Sequence, residues 1–164
     1  MASIVFTNPL SRLELRRRVR ADFAADPSRA EGVDFFWCMK KVTPRRLDVG
    51  DRVYYVEDGR VVGFHLVSEI EWYARRVDSY TRLVYPSGVY VSGPAASWRY
   101  VDRVAMRGFQ GFRYAPDEWG ALALIGDLGV TPDEADRRAD ALDAGARLSD
   151  VVVPPVSAPT RAAS

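Results

Sequence analysis

Side chains in three segments of the chain combine the flat rings, cations and amide that recognition of a nucleic-acid base requires. Trp37 and Trp98 offer rings for stacking, and Lys40 adds a cation close to Trp37. The glycine-bearing segment RGFQGFRY adds Gln110, which can bind a base edge in two directions, and Arg113, which pairs with phosphate or stacks. Stacking on such rings contributes roughly 1–3 kcal/mol per base. The sequence therefore predicts one base-binding pocket formed by Trp37, Lys40, Trp98, Gln110 and Arg113.

A second group of cations has the spacing of a charged helix face followed by a basic loop. Residues 10–46 carry ten Lys or Arg against five Asp or Glu, whereas residues 117–150 carry three against nine. This asymmetry predicts a local phosphate-binding surface in a chain whose net charge is only +1. The alternative is that the basic helix face is merely solvated, or that the two regions neutralise each other in the fold. The predicted phosphate-binding residues are Arg12, Arg16, Arg17, Arg20, Arg45 and Arg46.

The residue inventory argues against covalent catalysis by a relay and against a metal centre. His65 is the single histidine and lies among apolar residues in GFHLV, which favours a core position over a Ser-His-Asp or Cys-His relay. Cys38 is the single cysteine and, next to Trp37, is expected to be a small buried apolar residue. One Cys and one His exclude an intrachain disulfide and a zinc set of Cys and His ligands. We therefore expect no metal and no cofactor.

The elements that must position these side chains are mainly β-strands, with a helix before them and another after them. Asp58-Gly59 separates two runs rich in valine and aromatics and is typical of a type I′ turn, so adjacent antiparallel strands are expected within residues 33–68. Asn8-Pro9 or Ser11 can cap a first helix that ends near residue 25. Residues 131–134 (TPDE) have the cap, proline and glutamate of a second helix start. A further helix is expected over residues 117–128.

The run LDVGDRVYYVEDGRVVGFHLVSEIE has a Gly-Asp before one strand and a central glycine in the next. In this order of elements it resembles the core of the PUA-like superfamily, in particular its EVE and ASCH branches, and the resemblance covers residues 33–114. It implies an α+β fold, a PUA-like curved mixed β-barrel with flanking helices, whose pocket binds RNA or a modified DNA base. We expect a single domain over residues 1–153. Residues 154–164, rich in Pro, Ser and Ala, have the composition of a disordered tail.

Some members of the ASCH branch hydrolyse modified nucleosides, and the resemblance implies which residues would do so in this chain. Lys40 or Lys41 would be the base and Thr43 the nucleophile. Glu57 or Glu69 would be the carboxylate that moves the proton.

The function expected from these features is a nucleic-acid or modified-base binding module that does no chemistry. The alternatives are a small ASCH-type amidohydrolase acting on modified nucleosides, and a protein-binding adaptor that uses the acidic C-terminal helix. No apolar run approaches the roughly 20 residues that span a bilayer, so we expect a cytoplasmic protein without a membrane partner. The sequence does not specify the base, the choice between DNA and RNA, or the oligomeric state.

Overall fold

A computed structural model describes residues 2–40 and 42–152 of the chain, and these form an α+β fold. Lys41 and the tail expected over residues 154–164 lie outside the described residues. The helices are α1 (Leu10–Ala25), α2 (Pro132–Asp143) and α3 (Leu148–Val151), with short 3-10 helices at Pro27–Ala30, Ala95–Ser97 and Asp117–Ala121. The strands are β1 (Ile4–Thr7), β2 (Asp34–Cys38), β3 (Arg52–Glu57), β4 (Arg60–Leu66), β5 (Glu69–Tyr73), β6 (Arg76–Val77), β7 (Val84–Tyr85), β8 (Gly88–Pro94), β9 (Arg99–Ala105), β10 (Phe112–Tyr114) and β11 (Leu124–Asp127).

The strands are divided between a six-stranded sheet, a three-stranded sheet and a two-stranded ribbon. The six-stranded sheet has the order β10-β1-β3-β4-β9-β11, the three-stranded sheet the order β2-β8-β5, and the ribbon joins β6 to β7. The large sheet is mixed: β1 runs parallel to β3, whereas all the other neighbouring strands of this sheet pair antiparallel. Among the strands described there is no closed barrel.

The hairpin between β3 and β4 confirms the turn predicted from the sequence. Asp58 and Gly59 both have positive φ, 51° and 76°, as a type I′ turn requires. In β4, the register shifts next to Gly63 where the strand pairs with β9. A Cβ at residue 63 would lie 2.5 Å from the carbonyl oxygen of Arg99, so only glycine permits this close approach.

Both faces of the six-stranded sheet are buried, and the alternation along β1 and β3 divides the core in two. One face belongs to the larger cluster, which also includes the apolar side of β2 and the buried residues of α1, Val19 and Phe23. The other face is covered by Trp119 from a 3-10 helix. Leu15, Val19 and Phe23, spaced four residues apart, are therefore the side on which α1 packs.

The acidic helix α2 neutralises part of the basic N-terminal region. It starts as predicted, with the Thr131 hydroxyl accepting a 3.1 Å hydrogen bond from the Glu134 amide. Arg17 on α1 reaches Asp133 at 2.8 Å and Asp136 at 2.9 Å. Arg60 and Arg103, from the sheet, pair with Asp136, Asp140 and Asp143.

The helix expected over residues 117–128 is wrong. Only Asp117–Ala121 is helical, and Leu124–Asp127 is strand β11, which completes the large sheet beside β9. Gly126 packs against Val130, where a Cβ would lie 2.9 Å from the valine Cγ2. Pairing with a distant strand thus overrides the local pattern. Of the helices that the structure describes, none is both long and apolar enough to cross a membrane.

Candidate ligand-binding cavity

A cavity of about 970 Å³ lies between the start of α1, the end of β2 and the loop before β10. Its lining is aromatic and basic, and none of the described lining residues is Asp or Glu. Such a surface attracts a ligand that has both a flat apolar part and a negative charge. The aromatic lining residues are Phe6, Phe36, Trp37, Tyr85, Phe109 and Phe112, the cations are Arg12, Arg16 and Lys40, and Thr7, Cys38 and Gln110 are polar.

Trp37, on β2, forms a fixed wall of the cavity. Its ring stacks on Phe6 with centroids 4.5 Å apart and an interplanar angle of 18°, and Tyr55 lies 6.3 Å away. The side chain is half-buried, and its remaining surface lines the cavity. Because the ring already has its position, stacking of a ligand would not require ordering it.

Helix α1 brings two arginines to the cavity from successive turns. Arg12 and Arg16 are four residues apart and so share a face of the helix. Both line the cavity, and the Arg12 guanidinium lies 6.0 Å from the Tyr85 ring centroid. Pro9, within the expected Asn8-Pro9 cap, is the N-cap of α1, but no side chain caps the helix and the side-chain amide of Asn8 bonds Glu57 instead.

Lys40 reaches the cavity from a strained backbone. Its φ is 55°, in the left-handed region, which costs a residue other than glycine about 1–2 kcal/mol. Main-chain hydrogen bonds hold this conformation, from the Met39 amide to the Val89 carbonyl at 2.6 Å and from the Val89 amide to the Lys40 carbonyl at 3.1 Å. Gly88 permits the close packing, since a Cβ there would lie 3.1 Å from the Lys40 Cα.

The loop that carries Gln110 is tied to β1. The Phe109 amide donates to the Thr7 hydroxyl at 3.0 Å, and Gly111 has a φ of 76° that favours glycine. Gln110 is exposed and lines the cavity. Arg113 is outside the lining, where its guanidinium lies 4.4 Å from the Phe109 ring centroid.

Arg20, the next residue on the face of Arg12 and Arg16, is buried rather than available to phosphate, and its prediction as a phosphate contact is corrected. Its guanidinium binds both carboxylate oxygens of Glu57, at 2.6 and 2.9 Å, and the two side chains are 4% and 3% exposed. Burial alone would raise the pKa of Glu57, but the charge of Arg20 and hydrogen bonds from Arg20 and Asn8 outweigh it and hold that pKa below its ordinary value.

The buried pair also corrects the hydrolase constellation. Both oxygens of Glu57 are engaged, and the residue is not part of the cavity. Glu69 accepts a hydrogen bond from Tyr73 and is likewise outside the lining. Thr43 is exposed and does not line the cavity, so among the residues described here only Lys40 of that set does.

His65 and Cys38 differ in how well the sequence predicted them. His65 is fully buried, as expected: its Nε2 accepts from the Tyr55 hydroxyl at 2.8 Å, and its Nδ1 donates to the Leu66 carbonyl at 3.0 Å. Burial lowers the pKa of His65 to about 4, although the Leu66 hydrogen bond opposes the shift. Cys38 was expected to be buried, but it is half-exposed and lines the cavity, because β2 ends there.

The cavity brings together Trp37, Lys40 and Gln110 of the predicted base-binding set, with Arg12 and Arg16 of the phosphate-binding set. Trp98 is corrected: it is 2% exposed, with Phe35 and Tyr100 packed edge-on against it and no surface left for a base.

The remaining predicted cations lie elsewhere. Arg17 is paired with α2, and Arg45 and Arg46 are exposed outside the lining, with the Arg46 guanidinium 4.7 Å from the Tyr114 ring centroid. Tyr85 and Met39 were not foreseen at the site. No local pattern indicates that β7 comes close to β2, since the Phe36–Tyr85 contact joins segments far apart in the chain.

The identity of the ligand has to be inferred from the residues that line the cavity. Among residues 2–40 and 42–152, no group of three or more His, Cys, Asp or Glu residues is placed to hold a metal ion. The PUA-like resemblance of residues 33–114 stays a prediction, because comparison with protein-family models, with curated proteins and with solved structures gives no match for this chain.

Proposed function

We propose that the chain binds nucleic acid by holding a base, together with its neighbouring phosphate, in the cavity, and that it does no chemistry on it. One observation carries the proposal: a cavity of about 970 Å³ has aromatic walls and, among its described lining residues, three cations and no carboxylate. Ligand pockets have volumes of about 300–1,000 Å³, so this one has room for a base, its sugar and a phosphate. The resemblance to the PUA-like superfamily adds a modified base as the preferred ligand.

Each part of the ligand has a matching group. The base stacks against the exposed surface of Trp37, which Phe6 supports from behind. Gln110 offers its amide to the base edge. Arg12 and Arg16 reach the phosphate from α1, and Lys40 adds a compact charge from the end of β2.

The observations favour this function over both alternatives. An amidohydrolase needs a carboxylate near Lys40, but Glu57 and Glu69 are engaged elsewhere. An adaptor that uses α2 needs free acidic side chains, but Asp136 in the middle of α2 pairs with both Arg17 and Arg103. As part of the same proposal, the two larger sheets correspond to the curved barrel of the PUA-like superfamily, and the protein meets its ligand in the cytoplasm.

The test is a titration of fluorescein-labelled oligo-deoxythymidine and oligo-uridine, followed by anisotropy. Trp37→Ala should weaken binding by about 5- to 150-fold, because stacking contributes roughly 1–3 kcal/mol per base. Trp72→Ala is the matched control, since Trp72 is 65% exposed and outside the lining. Equal affinities of the wild type and Trp37→Ala would refute the proposed site.

A second series separates phosphate contacts from general surface charge. The double variant Arg12→Gln, Arg16→Gln should reduce the slope of log K against log salt by about 0.7, since the two arginines share one phosphate and each single-strand phosphate contact contributes about 0.7. Arg18→Gln is the control, because Arg18 is exposed on α1 but outside the lining. Release of an acyl group from an N-acylated nucleoside would instead support the hydrolase.

A further inference from the structure

We infer that Arg20 and Glu57 are positioning residues: their buried ion pair sets the rotation of α1 and thereby presents Arg12 and Arg16 to the cavity. What those two arginines bind rests on the proposed function, but the orientation of the helix does not. The inference depends on three features of the helix and its anchor.

The first feature is the spacing of the arginines. Arg12, Arg16 and Arg20 recur at every fourth residue of α1 and so share one face of the helix. The first two line the cavity, whereas the third enters the core. A helix is stiff over two turns, so fixing the direction of Arg20 fixes the direction of the other two.

The second feature is that one carboxylate holds the helix at two places. Glu57, the last residue of β3, accepts two hydrogen bonds from the Arg20 guanidinium, at 2.6 and 2.9 Å. It also accepts a 2.7 Å hydrogen bond from the side-chain amide of Asn8, two residues before α1 begins. The Asn8 backbone amide donates to the Val56 carbonyl next to Glu57, at 2.9 Å. The entry to the helix and its third turn are thus attached to the same end of β3.

The third feature is that the pair is directional in a way that apolar packing is not. Leu15, Val19 and Phe23 already dock α1 on the core, and a buried ion pair is often no more stabilising than apolar residues of the same volume. A bidentate Arg–carboxylate pair does fix the angle between its partners. The Trp98 ring, with its centroid 4.9 Å from the guanidinium carbon, restrains the plane further. Within the described part of the chain, the buried Arg20 Nε and Asn8 Oδ1 have no hydrogen-bond partner. A network with every buried polar atom paired would stabilise the fold more.

The test replaces the pair by apolar residues in the double variant Arg20→Met, Glu57→Leu. Residual dipolar couplings of the α1 amides, measured without ligand, report the orientation of α1 relative to β3 and β4. We expect the couplings of α1 to change while those within the sheet stay mutually consistent. Affinity for oligo-deoxythymidine should fall about tenfold. The melting temperature should fall by several degrees, because the buried side-chain amide of Asn8 loses its acceptor, Glu57. Arg18→Met is the matched control and should change neither the α1 couplings nor the affinity for the oligonucleotide.

Unchanged couplings in α1 would overturn the inference, whether or not the protein binds the oligonucleotide. If the wild type binds no oligonucleotide, the proposed function fails and the couplings alone decide the role of the pair. Should the double variant not fold, Arg20→Lys replaces it, because lysine keeps the charge but loses the planar fork. Native couplings and native affinity in Arg20→Lys would then overturn the inference.

Discussion

Lys40 is a residue at which stability and ligand binding are expected to conflict. Its φ of 55° costs a residue with a side chain about 1–2 kcal/mol, and glycine avoids this strain. Glycine also loses more backbone entropy on folding, about 0.5–1 kcal/mol. The hydrogen bonds that Val89 makes with Met39 and Lys40 involve only main-chain atoms and survive the change. Lys40→Gly should therefore stabilise the fold by up to about 1.5 kcal/mol, which raises the melting temperature by up to about 6 °C for a chain of this size.

The same variant should bind oligonucleotide more weakly. Lys40 is one of three cations among the described residues of the cavity lining. Its loss should reduce the slope of log K against log salt by at most about 0.7, the contribution of one single-strand phosphate. Lys40→Asn is the matched control, because asparagine tolerates the left-handed region and also lacks the charge. It should bind as weakly as Lys40→Gly but gain less stability.

Urea unfolding and anisotropy titration at several salt concentrations measure the two effects. A Lys40→Gly variant that is less stable than the wild type would refute the strain argument. A variant that is more stable but binds with the wild-type salt slope would show that Lys40 does not contact the ligand.

Two further predictions concern the core. As pH falls from 6.5 towards 4, the unfolded chain takes up a proton at His65 that the buried imidazole of the folded chain does not, so the free energy of unfolding should fall by about 3 kcal/mol over this window. Urea unfolding of His65→Gln should lack this dependence on pH. An unchanged dependence would contradict the burial of a neutral imidazole. Gly93→Ala should cost at least about 3 kcal/mol, because the new Cβ would lie 1.5 Å from the Leu66 carbonyl oxygen. Gly120→Ala is the control, because the added Cβ would meet nothing within 4 Å, and it should be nearly neutral. Thermal melts of the two variants measure the difference. A small effect of Gly93→Ala, similar to that of Gly120→Ala, would show that β8 can move away from Leu66.

The parts of the fold that the sequence predicted are those with local signals. Asp58-Gly59 specifies its own turn, and the Thr131 cap needs only the amide of Glu134. Residues 117–128 were predicted wrongly because β11 forms by pairing with β9, which local propensity does not encode. Strand β8 likewise includes Gly93 and ends at Pro94, and the absence of a Cβ at residue 93 lets the backbone of Leu66 approach.

The candidate site was predictable in its residue types but not in its membership. Trp37, Lys40 and Gln110 line the cavity, and their chemistry was visible in the sequence. The burial of Arg20 was not, because it depends on Glu57 and Trp98, which follow it by many residues and meet it only in the fold. An even spacing of arginines on a helix therefore does not tell which of them face solvent.

The position of β1 between β3 and β10 has a kinetic consequence. Ile4 pairs with both Val53 and Tyr114, and the Phe109 amide bonds the hydroxyl of Thr7. These pairs join segments that are far apart in the chain, so the entropy cost of bringing them together is met before any stabilising contact forms. Folding should therefore be slow and cooperative. The cavity includes residues from both sides of this closure, which means that an intermediate lacking the β1–β10 pairing has no binding site. A ligand would then be captured only by fully folded molecules, and would protect the whole chain from proteolysis rather than one segment of it.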